Sequence, residues 1–182
     1  MVTFDKKITF RELTFDDIKL LHKWLNTDVI KEFYTKLSNS LEEVKERYGP
    51  LVRKEKPTDA YIIQIDGQDI GYISTYLIAN YPRAMAGFNA DEHSAALDLY
   101  IGEKDYIGKG YGKYIISEFL KQIIFSNKLV DNCILVPDAT NIRAIKTYEE
   151  VGFKPLKEVE APDTGQPESV MRLNQSDFKP LQ

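Results

Sequence analysis

Three groups of residues are of types and spacings that could do chemistry. The first is Tyr106-Ile107-Gly108-Lys109-Gly110-Tyr111-Gly112-Lys113. Glycine lacks a Cβ, so the backbone can approach an anion closely and take left-handed dihedrals. Where such a turn opens a helix, the first amide groups lack intrahelical partners and point at the anion. The turn suits a pyrophosphate, and it equally serves as a plain strand-to-helix turn. It is not a P-loop, since the spacing is too short and no Lys-Ser or Lys-Thr pair follows. Nor is it a Rossmann turn, which belongs after the first strand of its fold. The second group is Asn141 and Tyr148. They are seven positions apart, so a helix over 141–151 carries both on one face, two turns apart. Gly152 suits the left-handed residue that ends such a helix. The third is Asp98. In a strand over 95–101, Ala95, Leu97, Leu99 and Ile101 share one face, and Ala96, Asp98 and Tyr100 the other. A mid-strand carboxylate is either a solvated polar-face residue or a proton acceptor for general base chemistry.

The elements that must position these groups follow from periodicity and caps. Residues 8–13 read as a strand. Thr14 then offers an N-cap, with Asp16 and Asp17 favouring the helix dipole. Ile18, Leu20, Leu21, Trp24 and Leu25 give an apolar helical face. A short helical piece covers Val29, Ile30 and Phe33. Ser40 and Glu43 form a capping box for a helix near 40–48, and Pro50 and Pro57 bracket a connection. Strands at 61–65 and 70–77 flank Asp66-Gly67, a hairpin turn signal. Residues 80–93, with Pro82, read as a long polar loop. After the strand at 95–101 and the glycine turn come an amphipathic helix over 111–125, a strand over 128–136, the 141–151 helix and a strand over 153–159. A last strand over 169–173 closes the sheet. The hairpin implies antiparallel pairing and the strand–helix–strand units imply parallel pairing. The expected fold class is α/β (α+β): a mixed, twisted central sheet of six or seven strands with helices on both faces, in a single domain over 1–182.

Composition narrows the function. The 182 residues suffice for one well-cored domain. The 43% hydrophobic and 29% charged fractions are those of an ordinary globular chain. A net charge of −4 argues against nucleic acid and permits a cationic small molecule, although it also serves as plain solubilising charge. Cys133, the lone cysteine, lies in the apolar run Cys133-Ile134-Leu135-Val136 and reads as a buried, inert thiol. His22 and His93 read as solvated. With two histidines and one cysteine, no metal-ligand spacing exists, so no zinc or haem site is expected. No signal peptide or membrane-length apolar run is seen, which makes a cytoplasmic protein the expectation.

The glycine turn followed by Asn141…Arg143-Ala144…Tyr148-Glu149…Gly152-Phe153 resembles the GCN5-related N-acetyltransferase (GNAT) superfamily. The resemblance implies the GNAT fold and acetyl-CoA as acyl donor. The amides of Gly108, Lys109, Gly110, Tyr111, Gly112 and Lys113 would hold the pyrophosphate. Asn141 would meet the pantetheine arm, and Tyr100, Ile101 and Ala144 complete the cofactor set. Tyr148 would lie near the thioester sulfur and serve as acid. Ile107 departs from the Arg or Gln of many members. Within the superfamily, residues 8–153 look most like the aminoglycoside 6'-N-acetyltransferases, through Trp24-Leu25-Asn26, Glu32-Phe33-Tyr34, Tyr61-Ile62, Ile70-Gly71-Tyr72, Ser74, Tyr76, Asp91 and Asp98. That likeness implies a cationic aminosugar acceptor, held by Trp24, Tyr34, Tyr76, Asp91, Asp98, Asp138 and Glu92, with Asp98 the base. Val136 stands where those enzymes carry an Asp. A siderophore-type acyltransferase is the alternative within the fold. Leu99-Tyr100-Ile101-Gly102-Glu103 and Pro137-Asp138 are similar to that group, which typically has His where Asp98 stands. A catalytically silent acyl-CoA or amine-binding module is the alternative of another class. Monomer and homodimer both remain open.

Overall fold

The computed structural model of the chain describes residues 4–35, 39–81, 90–161 and 164–181. Seven strands form one sheet: β1 (Ile8–Glu12), β2 (Asp59–Ile65), β3 (Gln68–Leu77), β4 (Ser94–Ile101), β5 (Asn132–Leu135), β6 (Lys154–Glu160) and β7 (Pro167–Asn174). Their order is β1-β2-β3-β4-β5-β7-β6. β1 with β2, β2 with β3, β5 with β7 and β6 with β7 are antiparallel, and β4 with β5 is parallel. The β4–β5 ladder holds only Ser94↔Asn132, Ala95↔Cys133 and Ala96↔Ile134, while β4 itself continues to Ile101.

The chain forms two compact units, which share β4. One comprises 5–75 and 98–109; the other 1–4, 76–97 and 110–182. In the first, α1 (Ile18–Leu25) follows a turn in which the Asp17 carboxylate accepts from the Thr14 amide and hydroxyl. α2 (Asp28–Ile30) is a single turn, and Lys31–Thr35 continues it as a π-helical turn. α3 (Leu41–Val52) starts at the expected Ser40/Glu43 capping box. It runs through Pro50 instead of ending there. The carbonyl that Pro50 orphans belongs to exposed Glu46, and Glu55 N–H bonds the Pro50 carbonyl at 2.9 Å. Leu21, Trp24, Leu25, Val44, Ile62 and Tyr72 form this unit's core. Asp66 and Gly67 both take positive φ, as a tight hairpin turn requires.

The second unit holds α4 (Tyr111–Phe119) and α5 (Ile142–Val151). The helix expected over 111–125 changes to a π-helical turn at Leu120–Ile124, where Phe125 N–H reaches back five residues to Leu120 O at 2.7 Å. The strand expected over 128–136 shrinks to Asn132–Leu135. Asn127 Oδ1 accepts from Leu129 N–H, which makes a local turn and leaves Leu129 exposed. Of the expected long loop, 82–89 lie outside the described residues.

Candidate functional site

In the first unit, β4 carries Asp98 and Tyr100 to the same side, as alternation requires. Tyr100 is buried, with its ring stacked on Tyr72 at 5.4 Å and edge-on to Tyr34 at 4.7 Å. Tyr48 of α3 meets Tyr72 edge-on at 5.2 Å. Asp98 is solvent-exposed, and the protein atoms around it partly desolvate it. That desolvation raises its pKa, opposed by the Tyr34 hydroxyl and the Leu99 N–H. Tyr34 Oη donates to Asp98 Oδ2 at 2.7 Å. Among the described residues no Lys or Arg pairs with Asp98. Less exposed carboxylates are matched: Asp17 and Asp69 share Arg11, and Glu103 holds Lys23.

Gly108 and Gly110 adopt φ of 73° and 80°, with open space where a Cβ would stand. Gly110 is the N-cap of α4 and brings no capping side chain, a geometry in which a helix start can receive an anion. Lys109 is exposed, and Lys113 Nζ pairs with Glu150 at 2.6 Å. At Gly112 a Cβ would sit 3.2 Å from Thr147 Cγ2, so glycine lets α4 lie close to α5. Asn141 caps α5: its Oδ1 accepts from Ala144 N–H at 3.1 Å. Ala144's amide is thereby taken, and Asn141's own NH2 has no partner among the described residues. Tyr148 is half-buried on α5, 6.3 Å from Phe153 between ring centres.

Trp24 is fully buried, and its indole N–H donates to Glu103 at 2.8 Å. It is a core residue, because the α1 periodicity that buries Leu21 and Leu25 buries it as well. Asp91 accepts from Ser94 Oγ at 2.9 Å and from His93 N–H at 3.0 Å, and pairs with Arg172 at 3.3 Å. Burial pulls its carboxyl up, but these partners hold it below its ordinary value. Asp138 Oδ1 accepts from the Thr140 amide and hydroxyl, a local turn. Glu92 is exposed, and its carboxylate lies 3.6 Å from the His93 ring. Tyr76 packs edge-on to Tyr81 at 4.7 Å, and Ile101 is half-buried. Val136 packs against the cluster of Ile78, Ala96, Ile134 and Val170. Cys133 is fully buried, and desolvation lifts its thiol far above the usual range.

The family described as acetyltransferase (GNAT) domain matches residues 14–161, across both units. The chain belongs to the GNAT acetyltransferase family. It is 28% identical over 158 residues to an aminoglycoside N(6')-acetyltransferase type 1 of Klebsiella pneumoniae, covering 86% of this chain and 78% of that protein. The crystal structure of aminoglycoside acetyltransferase AAC(6')-Ib with coenzyme A superposes with a TM-score of 0.85 at 27% identity, over 94% of this chain and 97% of that one. The same enzyme with coenzyme A and kanamycin gives 0.84 at 27% identity, over 94% and 97%. The seven-stranded mixed sheet is thus the GNAT fold. In this GNAT chain, sequence reasoning gave no role to Tyr48 and Tyr72, which lie beside Tyr100, or to Arg172, which pairs with Asp91. The abundance of tyrosine, 11 residues, was the available signal for the first two. No local pattern pointed to Arg172, because its partner lies 81 positions away.

Proposed function

We propose that the protein transfers an acetyl group from acetyl-CoA to a primary amine of an aminoglycoside-like, cationic small molecule. The supporting observation is Asp98, an exposed carboxylate on β4 that is held by Tyr34 and has no cationic partner among the described residues. A carboxylate so placed is accessible to a substrate ammonium group, which supplies a cation through a charge-assisted hydrogen bond. The same group chooses the chemistry. An ammonium cannot attack a thioester until it loses a proton, and a carboxylate with a raised pKa is the stronger base for that step. The amine nitrogen then bonds to the acyl carbon as the carbon–sulfur bond breaks. Tyr148 donates its proton to the departing thiolate, Asp98 passes the proton it took from the ammonium to solvent, and the second proton shed by the nitrogen restores Tyr148 by way of solvent. The open glycine turn and the uncapped start of α4 fit the donor's pyrophosphate, and the unpartnered NH2 of Asn141 fits an amide carbonyl of its arm. Two substrates held together need no acetyl-enzyme, since proximity supplies most of the acceleration. Where the resemblance expects an Asp, Val136 supplies no carboxylate, so fewer cations are matched than in an enzyme with Asp there. The experiment is coenzyme A release from acetyl-CoA with kanamycin-like aminoglycosides, polyamines, lysine and N-hydroxylysine. Release with an aminoglycoside supports the reading. Turnover of the lysine-type amines alone would replace the acceptor, and no turnover with any amine would reject the activity.

A further inference from the structure

Tyr34 is the side chain that donates to the Asp98 carboxylate. It reaches Asp98 from the π-helical turn Lys31–Thr35, a wide turn of the kind that re-aims side chains and recurs at functional sites. Its ring packs edge-on against Tyr100 at 4.7 Å, which restrains where the hydroxyl can reach. We propose that Tyr34 is a positioning residue, whose hydroxyl holds Asp98 in one orientation and sets its strength as a base. The inference rests on the reading of Asp98 as the proton acceptor.

A carboxylate offers about four acceptor sites. Tyr34 and the Leu99 N–H occupy two, and the others remain for an incoming ammonium group. The titratable groups that face Asp98 come from four elements: Tyr34 from the π-helical turn, Tyr48 from α3, Tyr72 from β3 and Tyr100 from β4. Burial pushes all four phenols above their ordinary range, so all stay neutral, and the nearby Arg47 acts on Tyr48. Tyr34 is therefore a hydrogen-bond donor throughout the working pH range and never a competing base. Without it, Asp98 faces the desolvation with only the Leu99 N–H, and its pKa rises further.

Tyr34→Phe keeps the ring on Tyr100 and removes only the hydroxyl. The Asp98 carboxyl carbon is followed by NMR titration in the full chain, with no amine present. The expected result is a midpoint raised by about one to two pH units, the scale of one charge-assisted hydrogen bond. The acid limb of kcat/KM for acetyl transfer should rise by the same amount, with the KM for acetyl-CoA unchanged. An unmoved midpoint, with or without a uniform loss of rate at every pH, would overturn the inference and leave Tyr34 as packing. The titration needs no turnover, so it decides Tyr34's role even if the transfer reading fails.

Discussion

Trp24→Phe separates a core role from a substrate-contact role. Trp24 is fully buried, and its N–H donates to the Glu103 carboxylate at 2.8 Å. Phenylalanine is smaller by on the order of 40 Å³, which at ~24 cal/mol per Å³ of cavity costs about 1 kcal/mol. The lost hydrogen bond to a charged acceptor adds ~1.5 kcal/mol, the low end of its range, because Glu103 keeps Lys23 and partial contact with water. The sum is about 2–3 kcal/mol. In a domain of this size each kcal/mol moves the melting temperature by roughly 2–4 °C, so a fall of about 5–10 °C is expected. The assay pairs thermal unfolding with initial rates taken well below the melting temperature, where the KM for the amine should be unchanged. An intact melting temperature with a raised amine KM would refute the reasoning and return Trp24 to the substrate.

Arg11→Ala should cost about 2–3 kcal/mol in urea unfolding, less than the ~3–5 kcal/mol of a fully buried pair because Arg11 is 33% exposed. Burial pulls the Asp17 carboxyl up, but Arg11 and Thr14 outweigh it and hold it below its ordinary value; Arg11 does the same for Asp69. Depressed carboxyls stabilise the fold above their unfolded pKa, and that contribution is lost as pH falls through the folded value. The variant should therefore show a flatter loss of stability below about pH 4, read from melting temperature against pH. Cys133→Ala should leave turnover within about two-fold, since a thiol this desolvated forms no thiolate. Intact-mass measurement of the native chain should find no acetyl group on Cys133 that an amine can remove.

Local patterns carried much of this structure. The capping box at Ser40, the Asp66-Gly67 hairpin, the face shared by Asp98 and Tyr100 and the glycine turn before α4 each depend on neighbours a few positions apart. The tyrosines around Asp98 were not legible as a group, because a π-helical turn, α3, β3 and β4 each supply one. Which tyrosines meet is a property of long-range packing. Trp24 illustrates the converse: its resemblance to a binding residue and its own periodicity point different ways, and the structure buries it with Leu21 and Leu25. Asp91 likewise carries the charge expected of a substrate contact, but Arg172, from a strand far along the chain, takes it up.

The central claim is that Asp98 accepts the proton of a cationic amine during acetyl transfer. The direct measurement is the pH dependence of amine-driven coenzyme A release by the native chain and by Asp98→Asn, with melting temperatures taken on the same samples. Burial raises the Asp98 pKa, so its ionised form weakens the fold as pH rises from the unfolded value through the folded one. The variant should then melt at or above the native temperature at neutral pH while losing about 10²–10⁴-fold in turnover. The deficit should shrink as pH climbs and free amine accumulates. A variant that turns over at the native rate at neutral pH would contradict the account. So would a loss of rate that accompanies a lowered melting temperature and does not ease at high pH.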